Sequence, residues 1–170
     1  MSNLRLGYII GSVGHVPESL SDVGYGTGSF LKCASSIVPN TFGHDVSGYP
    51  LPKNTQFESN IFERFYQVVT FFDSLEHFPA IYFLDKIKCK YICISVPWCH
   101  YFSDKWFDDW KHRRPNEHLW HFNQNSLISF MSHQGFDMIN TCNYEDTIRK
   151  STEPYENILS GVFVNRRFLT

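Results

Sequence analysis

Apolar residues in this chain fall into two kinds of run. Short continuous blocks of β-branched and aromatic residues read as buried strands. SLSDV (19–23), NTFGHDV (40–46), FYQVVTFF (65–72) and KYICISV (90–96) are of this kind, and Pro97 closes the last of them. QFESNIF (56–62) alternates more weakly, and FDMINTCNY (136–144) and NILSGVFVN (157–165) supply two final strands. Helical spacing appears in 27–37, where Phe30, Leu31, Ala34 and Ile37 share a face and Pro39 ends the run. AIYFLDKI (80–87) predicts a short helix, and NQNSLISFMSHQG (123–135) an amphipathic one with polar caps and a glycine stop.

Strands and helices alternate until the last two strands, which no obvious helix joins. The pattern predicts an α/β, Rossmann-like open sheet of about seven strands, mostly parallel, with an antiparallel C-terminal strand. The 170 residues fit one domain over 1–170. The apolar patch in 1–16 is too short and too broken by glycine for a signal peptide or a membrane span. Segment 98–118 is the longest irregular polar stretch, and 47–54 the most loop-like.

Composition changes this picture only at the margins. A hydrophobic share of 42% and a charged share of 19% are those of a globular chain, and a net charge of −2 gives no steering toward nucleic acid. The five cysteines include no CxxC pair, so a reducing cytoplasm is the simplest compartment and no membrane association is expected.

Candidate chemistry centres on SDVGYGTGSF (21–30), where three glycines at alternate positions link the first strand to the first helix. Glycine permits positive φ and close approach of backbone to a ligand, and the following helix start offers free N–H groups. A nucleotide-like ligand fits that context. The dinucleotide pattern G-x-G-x-x-G fails, since Ser29 or Leu31 stands where its third glycine belongs. A nicotinamide-dependent oxidoreductase is therefore the weaker reading.

The spacing Asp22-x-Gly24-x-Gly26-x-Gly28 resembles the first motif of the class I S-adenosylmethionine-dependent methyltransferases. GHDVSG (43–48) resembles their second motif, VVTFFDSLEHF (68–78) the D-x-L-E-H turn that follows the fourth strand in one large subgroup, and KYICISVP (90–97) their fifth strand. The resemblance spans about 19–165 and implies S-adenosyl-L-methionine as cofactor and methyl transfer as activity. It places Asp22, Gly24, Tyr25, Gly26 and Gly28 at the cofactor turn, Asp45 at the ribose hydroxyls, and Phe72 and Asp73 beside the methionine portion. It offers no acidic residue for the adenine amino group, leaving Ser59 or Asn60 for that place. The helical extension that often precedes the first strand is replaced by about 17 residues, and the helices after the second and third strands are reduced. So stripped a scaffold suits a non-catalytic methyltransferase-like subunit as an alternative, or a homo-oligomer in which a partner chain completes the site.

His77 is the candidate general base, because imidazole titrates near neutral pH. Segment 98–122 carries all four tryptophans and leaves the fifth strand at its carboxyl end, where such sheets bind ligands. Trp98, His112, Arg113, Arg114 and His118 are its candidate acceptor contacts. No pair among Cys99, His100, His112, Glu117, His118 and His121 has structural-zinc spacing, so no metal is expected. The absence of a broad basic face points away from nucleic acid and toward a small-molecule or glycan-like acceptor, methylated on oxygen.

Overall fold

The computed structural model describes residues 1–169. Its centre is a seven-stranded sheet. The strands are β1 (Ser19–Val23), β2 (Asn40–His44), β3 (Thr55–Phe57), β4 (Tyr66–Phe72), β5 (Cys89–Pro97), β6 (Phe136–Cys142) and β7 (Ile158–Asn165). Their spatial order is β3-β2-β1-β4-β5-β7-β6. Strands β1 to β5 pair in parallel, and β7 runs antiparallel between β5 and β6. The expected class, strand count and antiparallel final strand are all present.

The continuous apolar runs follow from burial on both faces. Along β4, Val69 and Phe71 join one core while Val68 and Phe72 join the other. Along β5, Ile92 and Ile94 face the first core, and Tyr91 and Cys93 the second. Helix α4 (Gln124–His133) covers the first core with Leu127 and Met131, and its start is fixed by a reciprocal Asn123–Ser126 capping box. Helix α2 (Ser29–Ala34) covers the second with Phe30, Leu31 and Ala34.

Three expectations need correction. The residues before β1 are a helix, α1 (Ser2–Val13), which buries Leu6 and Ile9 against the second core. Gly7 and Gly11 stand on its open side with nothing near them, so they loosen the helix without breaking it. The run 80–87 makes only a 3-10 turn at Leu84–Lys86. Its buried residues Ile81, Leu84 and Ile87 recur every third position, the period of that tighter helix. The weak strand predicted over 56–62 is confined to Thr55–Phe57. Segment 98–118 also contains a short helix, α3 (Asp104–Asp109), capped by the Ser103 hydroxyl accepting from the Trp106 N–H.

Arg5 anchors α1. Its guanidinium donates to both oxygens of the fully buried Glu145 at 2.7 and 2.9 Å, and to Asp73 Oδ2 at 2.7 Å. Arg149 completes the cluster, reaching Asp73 Oδ1 at 2.6 Å and Glu145 Oε2 at 3.1 Å. The Arg5 guanidinium also lies over the Phe72 ring, 4.4 Å from its centroid.

Removing one member of a buried ionic cluster strands the others. Arg5→Ala is therefore expected to lower the unfolding free energy by about 3–5 kcal/mol in urea denaturation. A loss under about 1 kcal/mol would mean that α1 is held by apolar packing alone.

Asp22 in β1 makes a pH-dependent contribution. It is buried and accepts a 2.6 Å hydrogen bond from Thr70 Oγ1. Burial raises its pKa from the ordinary 3.8 to about 6, against the opposing effect of the Thr70 bond. The folded state then holds a proton that the unfolded chain has released, so this group's contribution falls as pH rises from 3.8 to about 6. Asp22→Asn keeps the acceptor for Thr70 and cannot ionise. Relative to wild type, its stability should climb across that window by about 3 kcal/mol and then level off. A stability difference that stays flat from pH 4 to 7 refutes this.

Candidate functional site

The order of the sheet reverses at β1, which has β2 on one side and β4 on the other. Ligands of open α/β sheets bind beyond the carboxyl ends of the strands at such a point. A cavity of about 390 Å³ lies there. Gly24 after β1, Asp45 and Val46 after β2, and Asp73, Ser74 and His77 after β4 contribute to its wall, with Phe78 and Pro79 beyond them.

The glycine turn is shaped by contact as well as by dihedral angle. Gly24 has φ +81°, and a Cβ there would stand 2.5 Å from the Ser74 Cβ. Ser74 in turn donates its hydroxyl to the Val23 carbonyl at 2.7 Å, which locks the turns after β1 and β4 together. Gly28 begins α2, with Pro52 in the space a side chain would need. Gly26 differs from both: nothing lies within 4 Å of the position its Cβ would take, so this stretch of backbone is open to a ligand.

Asp45 faces the same opening. Its Oδ2 accepts from the Gly26 N–H at 2.7 Å and its Oδ1 from the Ser47 N–H at 2.6 Å. Partial burial acts to raise its pKa, but the bonds from Ser47 and Gly26 outweigh that and hold the carboxyl below its ordinary value. Each oxygen keeps a further lone pair, so an ionised Asp45 can accept a pair of neighbouring hydroxyls. A second cavity of about 260 Å³ shares His44, Phe78 and Pro79 with the first and is lined by Ser59, Asn60 and Phe62. Asn60 is tied to its neighbours there, donating to Glu63 at 2.8 Å and accepting from the Phe62 N–H at 3.1 Å. Two adjoining cavities, one of them lined by Asp45, suit an elongated nucleoside-like ligand.

Other expected cofactor residues stand behind the wall. Asp22 lies beneath the turn on Thr70. Tyr25 is buried and donates its hydroxyl to the Tyr49 carbonyl at 2.7 Å. Phe72 packs edge-on to Phe30 and under Arg5 in the second core. Asp73 reaches the cavity, yet both its oxygens are held by Arg5 and Arg149. Its carboxyl is held below its ordinary pKa, because the two guanidinium groups overcome the cost of burial.

His77 lines the same cavity, and its Nδ1 is 2.9 Å from the Glu117 carbonyl. That contact requires Nδ1 to carry the proton and leaves Nε2 with its lone pair. The His118 ring meets His77 edge-on, with centroids 4.7 Å apart, and its own Nδ1 is 2.7 Å from the His112 carbonyl. Glu76 is buried beside them, its Oε2 has no hydrogen-bond partner, and burial pushes its pKa up to about 8.

Segment 98–122 is only partly brought to this site. The N–H groups of Leu119 and Trp120 bond the Glu76 carbonyl at 2.7 and 3.3 Å, which delivers His118. His112 is turned to Asn157, 2.9 Å from its Oδ1. Arg113 pairs with Asp108 and lies over Phe107, and Arg114 pairs with Glu117. Trp98 stacks on His100, while Trp106 and Trp110 line a separate hollow of about 410 Å³. The basic cluster expected at 111–114 is thus dispersed among local partners. The sequence reading gave Arg5, Glu145 and Arg149 no role at the site.

A family model described as a methyltransferase domain matches residues 13–141. No curated protein matches the sequence. Among solved structures, a putative S-adenosylmethionine dependent methyltransferase from Listeria monocytogenes superposes with a TM-score of 0.68 at 13% identity, covering 97% of this chain and 99% of its own. The 1,6-didemethyltoxoflavin-N1-methyltransferase of Burkholderia thailandensis, crystallised with 1,6-didemethyltoxoflavin and S-adenosylhomocysteine, gives 0.68 at 12% identity, covering 96% and 77%. The magnesium protoporphyrin IX methyltransferase of Synechocystis PCC 6803, with bound S-adenosylhomocysteine, gives 0.65 at 14%, covering 96% and 81%. The family model spans most of the chain, and the sheet order agrees with it: the chain belongs to the methyltransferase-domain family and is a class I S-adenosylmethionine-dependent methyltransferase.

Proposed function

We propose that this chain, acting as a single domain in the cytoplasm, methylates an oxygen of a small-molecule or glycan-like acceptor. The observation that carries the reading is one cavity lined both by a hydroxyl-accepting carboxylate, Asp45, and by His77, whose Nε2 is free. S-adenosylmethionine supplies an electrophilic methyl group on a sulfonium. Asp45 takes the ribose hydroxyls, the open backbone at Gly26 lies along the cofactor, and Ser59 and Asn60 border the adenine. Gly24, Gly28 and Tyr25 shape the turn, with Asp22 beneath it. Asp73 and Phe72 keep the end of β4 in place beside the methionine portion.

When bound, the cofactor would supply its sulfonium methyl group to the acceptor oxygen, with the carbon–sulfur electron pair remaining on sulfur. His77 Nε2 takes the acceptor's proton. Val46, Phe78 and Pro79 line the cavity with apolar surface and limit water near the sulfonium. His118 meets His77 edge-on beside the cavity, Trp98 and His112 support the loop that carries it, and Arg113 and Arg114 are taken up by Asp108 and Glu117. The net charge of −2 favours a small acceptor over nucleic acid. Among the described residues no helix is long and apolar enough to cross a membrane.

Asp45→Ala is expected to weaken S-adenosylhomocysteine binding by about 1.5–3 kcal/mol in calorimetry, the range for hydrogen bonds to a charged group. With a 2′-deoxyribose analogue the loss should shrink. An equal loss with both ligands would mean that Asp45 does not read that hydroxyl.

Gly26→Val places a branched side chain in the open space, at φ +51° where such residues are strained. Affinity for S-adenosylhomocysteine should fall at least tenfold while the protein stays folded by circular dichroism. Unchanged affinity in the folded variant removes the glycine turn from the cofactor site.

A further inference from the structure

Glu76, His77 and His118 are related in a way that a proton-accepting histidine alone does not require. One ligand-type atom from each, a carboxylate oxygen and two imidazole nitrogens, lies within 4.8 Å of the others. Both imidazoles are oriented by backbone. His77 Nδ1 is held by the Glu117 carbonyl at 2.9 Å and His118 Nδ1 by the His112 carbonyl at 2.7 Å. Carbonyl bonds of this kind fix the tautomer of metal-binding histidines and leave Nε2 free to ligate. Neither Nε2 has a hydrogen-bond partner among the described residues.

The third member adds an independent observation. Glu76 is 1% exposed, and its Oε2 has no hydrogen-bond partner. A buried polar atom without a partner is costly and calls for an explanation. The position of the cluster is also built rather than incidental. The Glu76 carbonyl accepts from Leu119 and Trp120, so the residues flanking His118 are pinned to the backbone of Glu76 itself.

We propose that Glu76, His77 and His118 bind a divalent first-row transition-metal ion beside the cavity wall at His77. Two imidazoles and one carboxylate select ions of the manganese-to-zinc series over magnesium or calcium, which favour all-oxygen shells. Ligands around one such ion stand about 3–3.4 Å apart, given metal–ligand distances of about 2.1 Å. The observed spread of up to 4.8 Å is wider than that, so the three side chains must draw together when the ion binds. Three protein ligands leave coordination positions open, as in catalytic metal sites, and His77 is the member of the cluster that lines the cavity. An acceptor hydroxyl bound there would be acidified by the ion and lose its proton to solvent, with His77 serving as ligand instead of base. That role rests on the methyl-transfer reading, whereas the binding of the ion does not.

The test is a titration of the full chain, stripped with chelator, with Co²⁺, whose visible d–d absorption reports coordination. One equivalent should bind, with a spectrum of low coordination number. Calorimetry with Zn²⁺ and Mn²⁺ should give the same stoichiometry. Glu76→Gln and His118→Ala should each lower affinity at least tenfold, and His15→Ala, outside the cluster, should not change it. Circular dichroism confirms that each variant is folded, and Glu76→Gln guards against a change in volume. The absence of a Co²⁺ spectrum, or a bound equivalent that neither variant weakens, overturns the proposal. S-adenosylhomocysteine binding measured on the same samples keeps the readings apart. Metal without cofactor would sink the methyl-transfer assignment alone, and cofactor without metal would sink the metal site alone.

Discussion

Two arginines and two carboxylates fix the carboxyl edge of this sheet. Arg5 and Arg149 converge on Asp73 and on Glu145, which has no solvent contact. Asp73 is the residue at which the chain leaves β4, and it does so at φ 53°, a conformation that a non-glycine residue adopts only when its surroundings enforce it. Two guanidinium groups, one on each carboxylate oxygen, supply that enforcement. The consequence passes along the chain to Ser74, whose hydroxyl caps the Val23 carbonyl and whose Cβ occupies the space beside Gly24. The glycine turn is therefore positioned from behind, by a cluster of which Asp73 alone reaches the cavity wall.

The cluster accounts for the balance of buried charge. Burying ions is costly unless each is paired, and here the pairing is reciprocal, with every carboxylate oxygen facing a guanidinium nitrogen. Asp22 and Glu76 contrast with it. Both are buried acids with no ion pair, and burial raises the pKa of each. A fold that needed only stability would have apolar residues at these two places. Asp22 underlies the glycine turn and Glu76 adjoins His77, so the unpaired acids stand behind two parts of the candidate site.

What could be read from the sequence was what the chain encodes locally. The glycine triplet, Asp45 and the five parallel strands each announce themselves within about ten residues, and the structure assembles them at one switch point. Helix α1 was legible in principle. Leu6, Ile9 and Val13 recur at helical spacing and Gly14 ends the helix at φ 82°, but Gly7 and Gly11 disguised it. Glycine weakens a helix by only about 1 kcal/mol, which the docking of Leu6 and Ile9 and the pairing of Arg5 offset. Nonlocal pairings had no such signal. Nothing near His118 announces that its backbone neighbours will bond the Glu76 carbonyl, 43 and 44 residues earlier in the chain, whereas Asp108 and Glu117, which take up Arg113 and Arg114, stand close by in the sequence.

The reduced helices after β2 and β3 raise the question of how so thin a scaffold keeps the two ends of its site in register. The span Asp73–His77 does it. Its first residue is gripped by α1 and the segment before β7, its second by the turn after β1, and its fourth by the loop that carries His118. Five consecutive residues thus touch the glycine turn on one side and the histidine pair on the other. Coupling over so short and so heavily bonded a path requires no conformational relay, because the two ends are parts of one rigid turn. Changes in α1 should therefore be felt at the histidines as well as at the glycines, although α1 contributes no residue to the cavity wall.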